Sequence, residues 1–245
     1  MHEMAHMWFG NLVTMKWWDD LWLNESFATY SATRAMSEVT DFKEAWLTFN
    51  IYKQSAYKAD QAVTTHPITS QVASTEEAFA NFDSITYGKG ASVLKQLAFY
   101  IGDKAYQKGL KNYFEKYAHK NTVLADFISA MEEASHKDLG QWRQRWLETA
   151  MVNNLEVHFT CNKGRIDNFE IYQTGTKEYP TLRTHKTKVA LFRKSKNSIK
   201  KNKVLDVVYD DESTKVKKAI GSLCPDIVYP NYQDYDYVKV TLDSK

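Results

Sequence analysis

The stretch His2-Glu3-Met4-Ala5-His6-Met7-Trp8-Phe9-Gly10-Asn11, continued by Trp17-Trp18-Asp19-Asp20-Leu21-Trp22-Leu23-Asn24-Glu25, decides how the chain is read. Two histidines four residues apart lie on one face of a helix, so His2 and His6 can ligate one tetrahedral zinc ion, with Glu3 projecting beside them. A catalytic zinc takes three protein ligands and keeps one position for water, so a third ligand must arrive from elsewhere. Glu25 is the candidate. The 18 residues between His6 and Glu25 suffice for the rest of one helix, a loop and the opening turns of an antiparallel partner helix. Zinc lowers the pKa of bound water and polarises a carbonyl, while Glu3 can take the water's proton and pass it to a leaving amine. The implied chemistry is metal-assisted amide hydrolysis with one zinc per chain.

Outward from this stretch, the first 150 or so residues carry helical periodicity. A first helix is expected to run to Gly10-Asn11, followed by a tryptophan-rich loop and a second helix capped by Asp19 or Asp20. Further helices are expected over Lys43 to Lys58, over Lys89 to Ile101 with a stop at Gly102, and over Lys104 to Tyr117 after an Asp103 cap. Phe127, Ile128 and Met131 follow a possible Thr122 cap, and Leu139, Trp142 and Trp146 mark a last helix.

Near Thr149 the apolar period falls to two. Leu155, Val157 and Phe159 alternate, Asn162-Lys163-Gly164 reads as a turn, and Ile166 and Phe169 begin a return strand. Val189 with Leu191, Val204 to Val208, and Val238, Val240 and Leu242 continue the pattern, with a lysine-rich connection from Lys194 to Lys203 expected as a solvated hairpin loop. The expected fold class is α+β with more than one domain: residues 1–149 form a mainly helical metallopeptidase domain, and residues 150–245 a small antiparallel β-sandwich.

Composition narrows the function classes. Lys+Arg number 32 against 30 Asp+Glu, and 43% of residues are apolar, an ordinary globular balance that asks for no nucleic-acid partner. Charges interrupt every apolar stretch before it could span a bilayer. Cys161 and Cys224 allow one bridge or two free thiols, which leaves the compartment open.

The run from His2 to Thr14, continued from Trp17 to Ala28, closely resembles the zinc site of the gluzincin metallopeptidases of the aminopeptidase N family. Tyr87-Gly88-Lys89-Gly90-Ala91-Ser92 is similar to the family segment carrying the tyrosine that stabilises the tetrahedral intermediate. That similarity makes Tyr87 a catalytic candidate, a phenol aimed at the developing oxyanion. Read alone, one of 15 tyrosines would be taken as a packed aromatic. The resemblance covers Met1 to about Asn153 and, more loosely, the strand-rich remainder. It implies a thermolysin-like catalytic domain, a zinc cofactor, and removal of single amino acids from peptide substrates with a free N-terminus.

Family members also carry, before the histidine motif, a Gly-x-Met-Glu-Asn segment whose glutamate holds the substrate's amino group. The chain opens at Met1, within the expected zinc helix, so it is expected to be a fragment that by itself holds zinc weakly and hydrolyses little. Ala130-Met131-Glu132-Glu133 is no substitute, since Glu132 and Glu133 are expected to face solvent on an amphipathic helix. Two alternatives stand beside the aminopeptidase: a zinc endopeptidase using the same metal site, and a catalytically incompetent fragment or binding module. His66, His119, His136, His158 and His185 show no ligand spacing, and Trp17, Trp18 and Trp22 are expected in the core before a pocket wall.

Overall fold

A computed structural model describes residues 1–242. The fold is mixed α+β, and the chain divides into two compact units, Met1–Met151 and Val152–Lys245.

The first unit is helical. Helix α1 (His2–Ala5) is short: the chain leaves it through single turns and reverses at Gly10, whose φ of +129° favours glycine. Strand β1 (Val13–Met15) follows, then a 3₁₀ turn over Trp18–Asp20 and helix α2 (Leu21–Val39). The remaining helices are α3 (Ala45–Asp60), α4 (Thr75–Ala80), α5 (Gly90–Ile101), α6 (Asp103–Tyr117), α7 (Leu124–Ser135) and α8 (Gly140–Leu147), with a π-helical turn over Ile85–Lys89 leading into α5. Strand β2 (Lys120–Thr122) pairs in parallel with β1.

Apolar periodicity explains the packing. On α5, Val93, Leu94, Leu97 and Ala98 are all buried, so this helix lies in the middle of the unit. Phe9 stacks on Phe27 with ring centroids 3.5 Å apart, and Tyr113 and Phe127 extend the same aromatic cluster.

Several helix starts differ from expectation. Asp103 is the first residue of α6 rather than its cap: Gly102, at φ +94°, makes the break, and both Asp103 carboxylate oxygens receive the Arg34 guanidinium at 3.0 and 3.1 Å. Thr122 does not cap α7. Its hydroxyl pairs with the Tyr113 phenol at 2.7 Å, and Asp126 instead accepts the Val123 amide hydrogen at 3.0 Å. Asp20 stands at the start of α2, yet its carboxylate reaches away to accept the Leu124 amide hydrogen at 2.9 Å. Glu132 is half-buried rather than solvent-facing, because it accepts the Leu139 amide hydrogen at 2.7 Å and braces the start of α8.

The second unit holds strands β3 (Asn154–Asn162), β4 (Arg165–Thr174), β5 (His185–Ser195), β6 (Ser198–Tyr209), β7 (Ser213–Lys215), β8 (Ile227–Tyr229) and β9 (Lys239–Val240). One sheet runs β7-β4-β3-β9 and another β6-β5-β8. Leu155 and Ile171 from the first and Val189, Leu191 and Leu205 from the second meet in one buried cluster. The β3–β4 turn places Lys163 and Gly164 at φ +48° and +74°, the combination a tight hairpin requires.

Pairing is not antiparallel throughout, since β9 lies parallel to β3. After β8 the chain returns to the first sheet by a long connection and enters beside β3 in the same direction. Of the expected last strand, Val240 lies in β9, Val238 is buried just before it, and Leu242 is exposed beyond it. The lysine-rich segment is not a loop: Ser195 pairs with Ser198, so all but Lys196 of its lysines sit on the two strands of the β5–β6 hairpin. Cys161 and Cys224 form a disulfide. No helix among the described residues is long and apolar enough to cross a membrane.

Candidate metal centre

Antiparallel approach of α1 and α2 brings His2, His6 and Glu25 together. The Nε2 atoms of His2 and His6 are 3.0 Å apart, and each faces Oε2 of Glu25, at 3.3 and 3.4 Å respectively. The edge between two donors of a tetrahedral site with bonds of about 2.0–2.1 Å is about 3.3 Å, so these spacings fit one small divalent cation. Two imidazoles and one carboxylate are a borderline-soft donor set suited to zinc.

Both rings are oriented from behind. His6 Nδ1 donates to the carbonyl oxygen of Phe9 at 2.9 Å, which leaves Nε2 with its lone pair free for a metal. His2 Nδ1 lies 3.3 Å from the Thr29 hydroxyl, one turn beyond Glu25 on α2. The fold supplies these partners locally: Phe9 lies three residues past His6, and a side chain at Gly10 would crowd the His6 ring and carbonyl.

Glu3 is exposed and lines the same cleft of about 660 Å³, together with the three residues above and Tyr87. The Tyr87 ring stacks on His2 with centroids 6.1 Å apart. Burial, then the carboxylates of Glu25 and Glu3, push its phenol well above the usual range, so it keeps its proton at neutral pH and can donate it in a hydrogen bond.

Tyr87 stands on the π-helical turn, which is pinned from two sides. Ser26 on α2 donates to the Thr86 carbonyl at 2.5 Å, and a side chain at Gly90 would collide with that serine. Lys89 is buried against Asp60 of α3 at 2.9 Å.

None of Trp17, Trp18 and Trp22 lines the cleft. Trp22 is in the core, while Trp17 is half-exposed and donates its indole N–H to the Val72 carbonyl at 2.7 Å. His185 is a core residue of the second unit, its Nδ1 2.7 Å from Asp236. His66 is no part of the metal centre, as its lack of ligand spacing implied. It sits 3.0 Å from Asp83, four residues before Tyr87, and no spacing of histidines in the sequence could have signalled that pairing.

Comparison with known proteins places this geometry in a lineage. The chain is 42% identical to the aminopeptidase N of Streptomyces lividans, an alignment covering 100% of this chain and 30% of that protein. It is 38% identical to probable aminopeptidase 2 of Sulfurisphaera tokodaii over 88% of this chain and 28% of the relative. It is also 41% identical to the leucyl aminopeptidase of Saccharolobus solfataricus over 60% of this chain and 19% of the relative. The chain thus spans under a third of the length of these relatives. The model of the peptidase family M1 domain matches residues 1–146, a region that contains every residue of the cleft described above. Agreeing with the resemblance drawn from His2 to Ala28, the chain belongs to peptidase family M1.

Proposed function

We propose that the chain carries the metal site of a zinc aminopeptidase acting on peptides with a free N-terminus. His2, His6 and Glu25 would hold one zinc ion, which when bound supplies a Lewis acid for water activation and carbonyl polarisation. Glu3 acts as general base and then general acid, taking a proton from the attacking water and delivering it to the departing amine. Tyr87 donates its phenolic hydrogen to the carbonyl oxygen as charge develops there. Thr29 and the Phe9 carbonyl keep the two imidazoles oriented. Residues 1–149 would serve as the helical part of a thermolysin-like catalytic domain, and residues 150–245 as the β-sandwich that accompanies it.

One observation carries this reading: the ligand atoms of His2, His6 and Glu25 lie within 4.8 Å of one another, on two helices whose cleft also receives Glu3 and Tyr87. The names of the relatives, aminopeptidase N and leucyl aminopeptidase, support the exopeptidase over an endopeptidase with the same metal site.

The test pairs zinc titration with hydrolysis of an aminoacyl anilide and its N-acetylated counterpart. Zinc-dependent cleavage of the free-amine substrate alone is expected of a version extended to the length of the relatives, with Glu3→Gln keeping the metal and losing turnover. Equal cleavage of the blocked substrate overturns the aminopeptidase assignment. Failure to bind zinc at any concentration overturns the metal site.

A further inference from the structure

The turn that carries Tyr87 is π-helical, a geometry that is rare and concentrated at functional positions. Its amide end is held by one side chain. Asp83 Oδ1 accepts the amide hydrogens of Ile85 and Thr86 at 2.9 and 3.0 Å, and the Asp83 carbonyl accepts that of Tyr87 at 3.1 Å. The other carboxylate oxygen, Oδ2, lies 3.0 Å from Nε2 of His66, and Nδ1 of the same ring lies 2.7 Å from the carbonyl oxygen of Pro67.

A carbonyl oxygen can only accept, and so can an ionised carboxylate. With Asp83 ionised, both ring nitrogens face acceptors, an arrangement that favours the imidazolium form of His66. The charged groups around it agree in balance. The hydrogen bond to Asp83 lifts the imidazolium's pKa above that of an ordinary histidine, burial and the Lys89 charge act against it, and the Lys89 charge is itself paired with Asp60 at 2.9 Å.

We propose that His66 and Asp83 form a positioning pair for Tyr87: the imidazolium fixes the carboxylate, the carboxylate fixes the start of the π turn, and the turn aims the phenol at the site formed by His2 and Glu25. The proposal rests on the role of Tyr87 as oxyanion donor. Ser26 and Lys89 hold the turn from its sides, whereas the free amide hydrogens at its beginning have Asp83 as their acceptor. An Asp83 side chain released by loss of His66 can rotate away, and the phenol then loses its fixed direction without leaving the cleft.

Anilide hydrolysis and zinc content measured for His66→Gln, Tyr87→Phe and the double variant test this. His66→Gln is expected to lower kcat by about tenfold with KM and zinc content kept, and to cost no more than about twofold when Tyr87→Phe is already present, since residues acting through one another are not additive. An equal loss in both backgrounds, or an unchanged kcat in His66→Gln, overturns the pair. A Tyr87→Phe variant with undiminished kcat instead overturns the role of Tyr87 itself.

Two measurements do not need turnover. The His66 ring followed by NMR titration is expected to hold its second proton above about pH 6.5, the ordinary histidine value, and titration at or below that value refutes the imidazolium. Amide hydrogen exchange at Ile85 and Thr86 is expected to quicken about tenfold in Asp83→Ala, which removes their side-chain acceptor, while Leu94 on α5 is unaffected, the signature of a local opening. Unchanged exchange at those two amides refutes the proposal even where the His66 variant fails to fold.

Discussion

Nε2 of His2 and Oε2 of Glu25 stand 3.3 Å apart across 23 residues of sequence, and aromatic packing behind them holds the two helices at that separation. Helix α1 has no buried residue of its own. What fixes it to α2 is Phe9, stacked on Phe27 at 3.5 Å and in contact with Tyr113 and Phe114. Phe9 also lends its carbonyl to His6, so one residue anchors both the helix and a ligand ring.

Phe9→Ala is accordingly expected to lower unfolding stability by about 3–5 kcal/mol, the usual cost of emptying a buried aromatic position, and to weaken zinc binding although the ligands remain. Urea unfolding and zinc titration of the same variant check the two effects. Phe9→Leu should recover much of both, because the backbone carbonyl stays and part of the volume is refilled. Zinc affinity unchanged in Phe9→Ala would show that α1 is held by the ligands alone.

Removal of a ligand and removal of its support should be separable. His6→Ala and Glu25→Ala are expected to abolish the zinc binding seen in titration of the parent chain. Thr29→Ala, which deletes only the hydroxyl 3.3 Å from His2 Nδ1, should weaken binding by about 10–100-fold, as orienting partners commonly do. Competition with a chelator of known affinity reads both.

The convergence of His2, His6 and Glu25 was legible because helical spacing is local: residues four apart share a face wherever the helix goes, and the interval to Glu25 leaves room for one reversal. Tyr87 was accessible through family resemblance alone, since nothing in its neighbourhood sets it apart from other tyrosines. His66 and Asp83 were not legible at all. Their pairing depends on how the segment after α3 folds back, and a segment without periodicity carries no such information. Strands β1 and β2 escaped for a related reason, being three residues each and paired by chain segments far apart. Helix α4 carries its own signal: Ser74 accepts the Glu77 amide hydrogen at 3.2 Å, and Glu77 accepts that of Ala73 at 2.7 Å, a variant of the Ser-x-x-Glu cap visible in the sequence. The lysines of the β5–β6 hairpin obscured its strands because both faces of an exposed ribbon tolerate charge.

Close approach of the π turn to α2 makes a sharp prediction about Gly90. A methyl group there would occupy the space of the Ser26 hydroxyl, so Gly90→Ala should cost about 1–3 kcal/mol, the range for overpacking a tight contact. Adding Ser26→Gly should restore part of that loss by vacating the space. Thermal or urea unfolding of the two single variants and the double variant measures the coupling, and additive losses would refute the contact as its cause.

The disulfide between Cys161 and Cys224 closes a separation of 63 residues within the second unit. Loop-closure entropy assigns such a crosslink about 4 kcal/mol of stabilisation. Urea unfolding with and without reductant, or of the Cys161→Ser, Cys224→Ser double variant, should show a loss of that order in the transition of the strand-rich unit.

Stability should also carry the pH signature of His66. Its pKa is raised in the folded chain, chiefly by the hydrogen bond to Asp83, so the folded state binds the proton more tightly than the unfolded state does. The resulting stabilisation is fully present below the unfolded value of about 6.5 and is lost as pH rises through the higher folded value. Unfolding midpoints measured across that window should therefore fall with rising pH in the parent chain and fall less in His66→Gln, which has no proton to lose. Asp83→Asn removes the acceptor that raises the pKa and should flatten the same limb, whereas Tyr87→Phe should leave it in place, because the phenol lies downstream of the pair and does not titrate there. A limb that persists undiminished in His66→Gln would assign the dependence to another group.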